Sequence, residues 1–262
     1  MKVALSGDGG DELFSGYQRY QARTMLRWYT KLPRPLRQRG ERLLRLLPEP
    51  DQHHSRSILK KAHLFCDVAD RVEEETPYIA PIMFQRSLRI ELAPDIVDRG
   101  HAPPQLLESA KADDLLQMMH ADALVYLPQD ILTKVDRASM AASLEVRAPF
   151  LDSSVVELAF SLPGKWHRHG MQGKRMLRAA FEDVLPAWLW KRRKQGFGVP
   201  IQHWFRSGLD SELEQLLNGP NLGPLRPIPV LALLNQHRSG QRDHGGRLWL
   251  LYSYLRWRTQ NQ

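Results

Sequence analysis

The stretch Lys2–Tyr20, KVALSGDGGDELFSGYQRY, predicts a strand, a glycine-rich loop and a helix in close succession. Its first part, Val3–Leu5, carries no charge and is typical of the end of a buried strand. Glycines at positions 7, 9 and 10 then break the strand, and a helical pattern of apolar residues begins at Asp11. We therefore expect the chain to leave a strand, turn sharply and enter a helix that continues to about Tyr29.

Such a loop is suited to a phosphate or ribose group. Glycines let the backbone approach a ligand closely, and the first turn of the following helix presents unpaired N–H groups. Three acids, Asp8, Asp11 and Glu12, lie in the same loop. They would repel a bare phosphate, so a nucleotide there requires a divalent cation such as magnesium or a basic group from elsewhere in the chain.

The spacing of the glycines matches neither common phosphate-binding fingerprint. No GKS or GKT follows the loop, and the order G-x-G-G differs from the G-x-G-x-x-G of dinucleotide-binding folds. Spacing alone leaves two interpretations open, a nucleotide loop and a plain glycine turn whose helix is capped by Asp11.

Composition narrows the class of protein. The chain has 37 basic and 29 acidic residues, a net charge of +8, but the basic residues are spread along it without a zinc-finger or RNA-binding signature. Nucleic-acid binding is therefore not favoured over solvated helix faces. Cys66 is the single cysteine, which excludes an internal disulfide. No apolar run approaches about 18 residues, so we expect no membrane span and a cytoplasmic location.

A second informative stretch is 126–152, YLPQDILTKVDRASMAASLEVRAPFLD. Asp130, Lys134 and Arg137 are separated by four and three residues, which places a carboxylate and two cations on one helix face. An exposed ladder of ion pairs would explain them. The many apolar neighbours instead favour charges that are partly shielded from water and need partners, either each other or a bound anion.

Two later segments predict loops of different kinds. Residues 165–173 predict a polar turn. Lys191–Lys194 is a run of four cations that meets Gly196-Phe197-Gly198, a pattern typical of a positioned loop rather than a plain surface patch. Beyond Val3–Leu5 the sequence gives no convincing signal for a second strand.

Three motifs resemble the glutamine-dependent asparagine synthetases. SGDGGDELFSGY follows that family's second nucleotide loop, S-G-D/E-G-S/G-D-E-x-F-x-G-Y, and 127–152 fills every fixed position of LP-x-D-x-L-x-K-x-D-R-x-S-M-A-x-S-x-E-x-R-x-P-F-L-D. Residues 174–204 follow K-x-x-LR-x-x-x-x-x-x-LP and R-x-K-x-GF-x-x-P-x-x-x-W. The resemblance covers the chain almost from end to end.

The resemblance implies a chemistry and a set of site residues. In the family, the aspartate side chain attacks the α-phosphate of ATP, pyrophosphate leaves, and ammonia from glutamine displaces AMP. Asp11 matches a ligand of magnesium and pyrophosphate. Asp8, Glu145 and Lys194 match the catalytic positions, with Glu145 a candidate proton acceptor. The positions implied for ATP are Ser6, Gly7, Asp8, Gly9, Lys134 and Arg137.

One departure from the family matters. Full-length members carry an N-terminal glutaminase domain and an SGGxDSS pyrophosphate loop, and neither signature occurs in these 262 residues. The resemblance thus implies residues 1–262 to be one partial synthetase domain. The expected fold is mostly α: the helical C-terminal portion of an adenine-nucleotide α-hydrolase-like α/β domain, with one short N-terminal strand. Alone, it should expose apolar strand residues, tend to aggregate and bind ATP weakly.

Three functions therefore remain open. The chain is the C-terminal half of an asparagine synthetase, inactive by itself; or it is a related amidotransferase acting on another carboxylate; or it is a non-catalytic remnant or complementing subunit. The implied partners are ATP with Mg²⁺, an aspartate or other carboxylate acceptor, and the missing glutaminase and pyrophosphate-loop half.

Overall fold

A computed structural model describes residues 2–29, 31–47, 59, 62–63, 65–66, 84, 86–96, 113–192 and 199–261. Its regular elements are β1 (Val3–Leu5), α1 (Gln18–Tyr29), α2 (Arg34–Arg45), α3 (Arg86–Leu92), α4 (Asp114–Ala121), a π-type helix (Asp122–Leu132), α5 (Thr133–Ala141), β2 (Glu145–Arg147), α6 (Ser153–Ser161), α7 (Gly164–His167), α8 (Arg175–Ala180), α9 (Ala187–Lys191), α10 (Ile201–Trp204), α11 (Leu209–Leu217), α12 (Pro227–Arg238) and α13 (Gly245–Gln260). Single 3₁₀ turns lie at Pro94–Ile96 and Pro149–Leu151. The prediction of a mostly helical fold is confirmed.

The expectation of only one strand is wrong. β1 pairs in parallel with β2, in the register Val3 to Glu145 and Leu5 to Arg147. The sequence does not predict β2, because this strand is only three residues long and two of its residues, Glu145 and Arg147, are charged and exposed. An uncharged apolar run, the pattern that predicts β1, is absent there.

Helix α1 begins later than predicted, at Gln18 rather than Asp11. Residues 8–15 instead form consecutive turns, and the N–H of Gly16 donates to the carbonyl of Asp11 over 2.8 Å. Ser15 adopts a left-handed backbone with φ of 56°, which interrupts a right-handed helix. The acidic residues therefore lie in a compact loop and not along a helix.

The chain divides into two compact units, and the described residues of the first are 2–29, 31–32 and 113–192. Its core contains Leu13 and Phe14 from the acidic loop and Tyr20 from α1. Met118 and Met119 of α4 and Phe160 of α6 belong to the same cluster. The apolar pair inside the acidic loop thus anchors that loop to the helical layer.

In the second unit, residues 199–261 supply most of the described core. Helices α11, α12 and α13 bury a leucine-rich cluster around Phe205, which is fully buried. Cys66 is buried in this unit, as expected of a small hydrophobic side chain. Among the described residues, no helix is long and apolar enough to cross a bilayer.

Apolar strand residues of the first unit face solvent, as expected. Leu5 is 74% exposed and Val3 is 38% exposed. Helix α5 contains no buried residue. Strands of parallel sheets are normally covered on both faces, so this part of the unit has the character of an interior surface.

Candidate functional site

The acidic glycine loop starts at the carboxyl edge of the two-stranded sheet. The N–H of Ser6 donates to the carbonyl of Arg147 over 2.8 Å, which extends the β1–β2 pairing by one residue. Open parallel sheets bind their ligands beyond the carboxyl ends of the strands. The loop therefore occupies the position in which an α/β fold places a ligand.

The three glycines of the loop differ in the space that surrounds them. Gly9 has φ of +84°, and a Cβ there would lie 2.3 Å from Cδ2 of Leu151. A Cβ on Gly10 would lie 3.1 Å from both the Gly7 carbonyl oxygen and the ring of Phe150. Gly7 is exposed, and a Cβ there would meet nothing within 4 Å. Packing thus requires Gly9 and Gly10, while the open space lies at Gly7.

Asp8 lies beside this open position. Its Oδ2 accepts a hydrogen bond of 2.7 Å from the hydroxyl of Ser6. The carboxylate is only half-buried, so it remains accessible to a ligand. Ser6, Gly7 and Asp8 together form the accessible rim of the loop.

Asp11 forms an ion pair with Lys174, whose ammonium nitrogen lies 2.6 Å from its Oδ1. Lys174 directly precedes α8 in a left-handed backbone conformation. Gly16 permits this close approach, because a Cβ there would lie 1.9 Å from Asp11 Oδ1 and 2.5 Å from Lys174 Cε. One cation and one carboxylate are thus held together at the loop.

Arg168 fixes the end of the loop from inside the unit. Its guanidinium donates to the hydroxyl and the carbonyl oxygen of Ser15, each over 2.9 Å, and its side chain is buried. Burial lowers the pKa of Arg168. Gly173 lies close to the same group, because a Cβ there would lie 2.2 Å from the carbonyl oxygen of Ser15.

Glu12, the third acid, points inward. It is 2% exposed, and its carboxylate accepts a hydrogen bond from the hydroxyl of Tyr17. Burial raises the pKa of Glu12, and burial with the Glu12 contact raises the pKa of Tyr17. Glu12 therefore has a structural role in shaping the loop and is not available to a metal.

A second buried acid lies where α4 meets the π-type helix. Asp122 accepts from Tyr20 over 2.5 Å and pairs with Arg19 over 2.8 Å. Burial raises the pKa of Asp122 against the opposing effect of Arg19. Arg19 also stacks over the rings of Tyr17 and Tyr126, at 4.1 and 4.7 Å from their centroids. These contacts hold α1 against the first turns of the π-type helix.

The donor set fits a nucleotide better than it fits a metal ion alone. Carboxylate oxygens from Asp8 and Asp11 suit Mg²⁺, which retains waters and takes phosphate oxygens as further ligands. Among the described residues, no group of three or more His, Cys, Asp or Glu side chains is arranged to hold a metal. Magnesium would therefore be held here only together with phosphate oxygens.

Lys134 and Arg137 make no hydrogen bond or ion pair with the loop among the described residues. Both are exposed on α5, and neither forms an ion pair or hydrogen bond with a described residue. The expectation that apolar neighbours shield them is wrong, because nothing on α5 is buried. Asp130 is also exposed, and its side chain bonds to Tyr126.

Glu145 lies on β2 and faces solvent. Its carboxylate accepts a hydrogen bond of 2.8 Å from Nε of Arg147. The register with Val3 places it at the end of the strand pair away from the loop. Lys194, the other implied catalytic residue, lies outside the described residues.

Sequence reasoning assigned no role to Lys174 or Arg168. Lys174 was signalled by K-x-x-LR, of which it is the first residue. Arg168 belongs to the segment predicted to be a polar turn, and composition alone gives no reason to bury it. Its partners are the hydroxyl of Ser15 and the carbonyl oxygens of Ser15, Tyr17, Gly170 and Met171, which the sequence does not reveal.

Comparisons with known proteins identify the family of this chain. The asparagine synthase family profile matches residues 1–259. A putative glutamine-hydrolysing asparagine synthetase of Mycobacterium bovis is 37% identical over 98% of the chain and 39% of its own length. Asparagine synthetase 1 of Bacillus subtilis is 29% identical over 99% of the chain and 40% of its own length.

Asparagine synthetase 3 of Bacillus subtilis is 33% identical over 39% of the chain. No solved structure matches. The chain spans about two-fifths of the length of the first two relatives. With the profile match extending over nearly every residue, this chain belongs to the asparagine synthase family.

Proposed function

We propose that this chain forms one side of a pocket that makes an amide on the side-chain carboxylate of aspartate at the expense of ATP. The observation that carries the proposal is the Asp11–Lys174 ion pair of 2.6 Å, whose carboxylate belongs to the same loop as the open backbone of Gly7. The names of the longer relatives support aspartate as the acceptor. We further propose that both compact units belong to one partial synthetase domain, residues 1–262, of a cytoplasmic enzyme.

The chemistry has two balanced steps. A carboxylate oxygen of aspartate attacks the α-phosphorus of ATP, the bond to the bridging oxygen breaks, and pyrophosphate leaves. Ammonia derived from glutamine then attacks the acyl carbon of β-aspartyl-AMP, AMP leaves, and a proton is lost from nitrogen. The first step brings two anions together, so cationic groups must offset the charge that develops on the phosphates.

The loop residues take the nucleotide in this proposal. Ser6, Gly7, Asp8 and Gly9 line the path of the adenylate, and Gly7 provides the uncrowded backbone that a phosphate or ribose needs. Asp11 holds magnesium together with phosphate oxygens. When bound, the metal supplies positive charge that neutralises the leaving pyrophosphate.

Lys174 adds a function to this set. If Asp11 held a metal ion, its carboxylate would no longer be paired with Lys174 alone. The ammonium of Lys174 would then be free to donate to a phosphate oxygen. The ion pair therefore keeps a cation in place before the nucleotide arrives, at little cost because Lys174 is 39% exposed.

The remaining motif residues of this chain also contribute to the pocket in this proposal. Lys134, Arg137 and Lys194 supply cations to the phosphates and the acyl group, and Glu145 and Asp8 take part in adenylate formation and proton removal. Exposed charges on α5 and β2 are what a surface facing another polypeptide segment would carry. Two strands make a very small sheet, so a segment carrying further strands and the SGGxDSS loop completes the pocket.

Reconstitution tests this proposal. The chain is mixed with a separately expressed family segment that carries the glutaminase domain and the SGGxDSS loop, and pyrophosphate and asparagine are measured with ATP, Mg²⁺, aspartate and glutamine. We expect both products only from the pair, and a loss of about 100-fold with Lys174→Met. Lys165→Met, an exposed lysine of the same unit, is the matched control. A stable pair that releases pyrophosphate only with another carboxylate would contradict aspartate as acceptor.

A further inference from the structure

An open pocket of about 470 Å³ lies in the second unit, apart from every residue assigned above. It lies among α10, α11 and α13, and its wall is unusually aromatic. The lining residues are Trp204, Ser207, Gly208, Leu209, Glu212, Trp249 and Tyr252.

The three aromatic rings are arranged at angles to one another. The rings of Trp204 and Trp249 meet edge to face, with centroids 5.9 Å apart and planes at 61°. Trp249 and Tyr252 are 6.0 Å apart with planes at 31°. Beneath them, the fully buried Phe205 packs against Tyr252 edge to face. The rings are thus supported by the core and remain open toward the pocket, and Trp204 is 38% exposed.

One carboxylate faces these rings. Glu212 accepts a hydrogen bond of 2.7 Å from the hydroxyl of Tyr252, which orients it at the wall. The neighbouring acids on the same helix are already neutralised, because Arg238 pairs with Asp210 and Glu214 over 2.8 and 2.5 Å. Glu212 has no such cation within ion-pair distance among the described residues.

One basic residue, Arg256, could in principle offset the charge of Glu212. It lines a smaller pocket of about 210 Å³ that shares Glu212, and it lowers the pKa of Tyr252 against the effects of burial and Glu212. It does not line the aromatic pocket. The aromatic side of Glu212 is therefore left to a ligand.

A purely structural explanation accounts for part of this arrangement. Glu212 lies in the first turn of α11, where the helix dipole favours a negative charge. Its bond to Tyr252 also joins α11 to α13. Neither role requires two indole rings around an open space. Aromatic faces attract cations, and aromatic walls with an acid beside them recognise quaternary ammonium groups.

We propose that this pocket binds an organic ammonium ion, with a methylated ammonium group held against Trp204, Trp249 and Tyr252 and its charge opposed by Glu212. Gly208, where a Cβ would meet nothing within 4 Å, leaves the entrance open for the rest of the ligand. The proposal does not depend on the amide-forming activity, because all its residues lie in the second unit.

The test uses choline as the probe and the complete 262-residue chain. Binding is followed by tryptophan fluorescence and by saturation transfer to the choline methyl protons. We expect saturation with a dissociation constant of roughly 1–10 mM. The neutral isostere of choline, in which a tert-butyl group replaces the trimethylammonium group, should bind at least about 10-fold more weakly.

Two variants assign the site. Trp204→Leu and Glu212→Gln should each weaken choline binding by about 3- to 10-fold. The matched controls are Trp257→Leu, an exposed tryptophan of α13 outside the pocket, and Glu157→Gln, an exposed acid of the first unit; both should leave binding unchanged. Equal binding of choline and its isostere, no saturation by 100 mM choline as a rough ceiling, or equal losses in the control variants would each overturn the proposal.

Discussion

The ammonium group of Lys174 lies 2.6 Å from Oδ1 of Asp11. The carboxylate that the loop motif assigns to magnesium is thus already neutralised by a side chain from another part of the first unit. A metal ion that binds Asp11 would therefore have to displace the ammonium group of Lys174 from the carboxylate.

The strength of this ion pair can be measured by a double-mutant cycle. With Asp11→Asn and Lys174→Met, we expect a coupling free energy of about 0.5 kcal/mol that falls with added salt, because water screens a lysine that is more than a third exposed. Urea unfolding of the single and double variants gives this value. The more exposed Glu145–Arg147 pair is the control and should couple less. A coupling above about 2 kcal/mol would show that the pair is effectively buried.

Gly173 should tolerate no side chain. A Cβ there would lie 2.2 Å from the Ser15 carbonyl oxygen and 2.8 Å from a guanidinium nitrogen of Arg168. We expect Gly173→Ala to lower the free energy of unfolding by about 2 kcal/mol or more, since a backbone atom must move. Gly7→Ala, which meets nothing within 4 Å, is the matched control. Thermal unfolding of both variants provides the comparison, and equal melting temperatures would disprove the packing given for this corner.

Stability of the second unit should fall in mild acid. Burial, and then Arg247, lower the pKa of His244 to about 3 from 6.5. Its Nε2 donates to Gln236 over 2.8 Å, and its Nδ1 accepts from Arg247 over 3.0 Å. As pH falls below 6.5 the unfolded imidazole takes up a proton that the folded one does not, so the folded state loses stability.

From pH 7 to pH 5 this linkage removes about 2 kcal/mol from the free energy of unfolding. Denaturant unfolding followed by tryptophan fluorescence at the two pH values measures the loss. We expect His244→Gln to reduce the dependence on pH, whereas His203→Gln, at an exposed position, should retain it. A stability that rises between pH 7 and pH 5 would contradict a neutral buried His244.

Mg-ATP should bind weakly to this chain by itself. Asp8 and Asp11 offer few ligands, and no described cluster of three acids or histidines exists to hold the metal. Isothermal calorimetry is expected to give a dissociation constant above about 100 µM. Micromolar affinity would mean that the loop binds nucleotide without a second segment.

The elements that the sequence predicted well are those with an extended apolar pattern or a dense motif. β1, the glycine loop and the helical character of the rest followed from local signals. Glu12 and Asp11 looked equivalent in sequence, yet Glu12 is buried against Tyr17 and Asp11 lies at the half-buried edge. That difference arises from the turns of residues 8–15, which a helical period does not describe.

The long-range features were beyond local reasoning. β2 has no apolar run of its own and is a strand only because β1 lies beside it. Arg168 is buried because its fork of donors meets the carbonyl of Ser15. The apolar composition of α5 predicts that the helix is covered, but none of its residues is buried.

The pairing of Val3 with Glu145 has a consequence for the order in which the polypeptide acquires its shape. A ribosome makes one partner long before the other, and closing so wide a loop is entropically slow. The acidic glycine loop can reach its final geometry only after residues 145–174 have emerged, since Arg147, Arg168 and Lys174 all hold it. Until then its leucine and phenylalanine would be candidates for chaperone binding during translation.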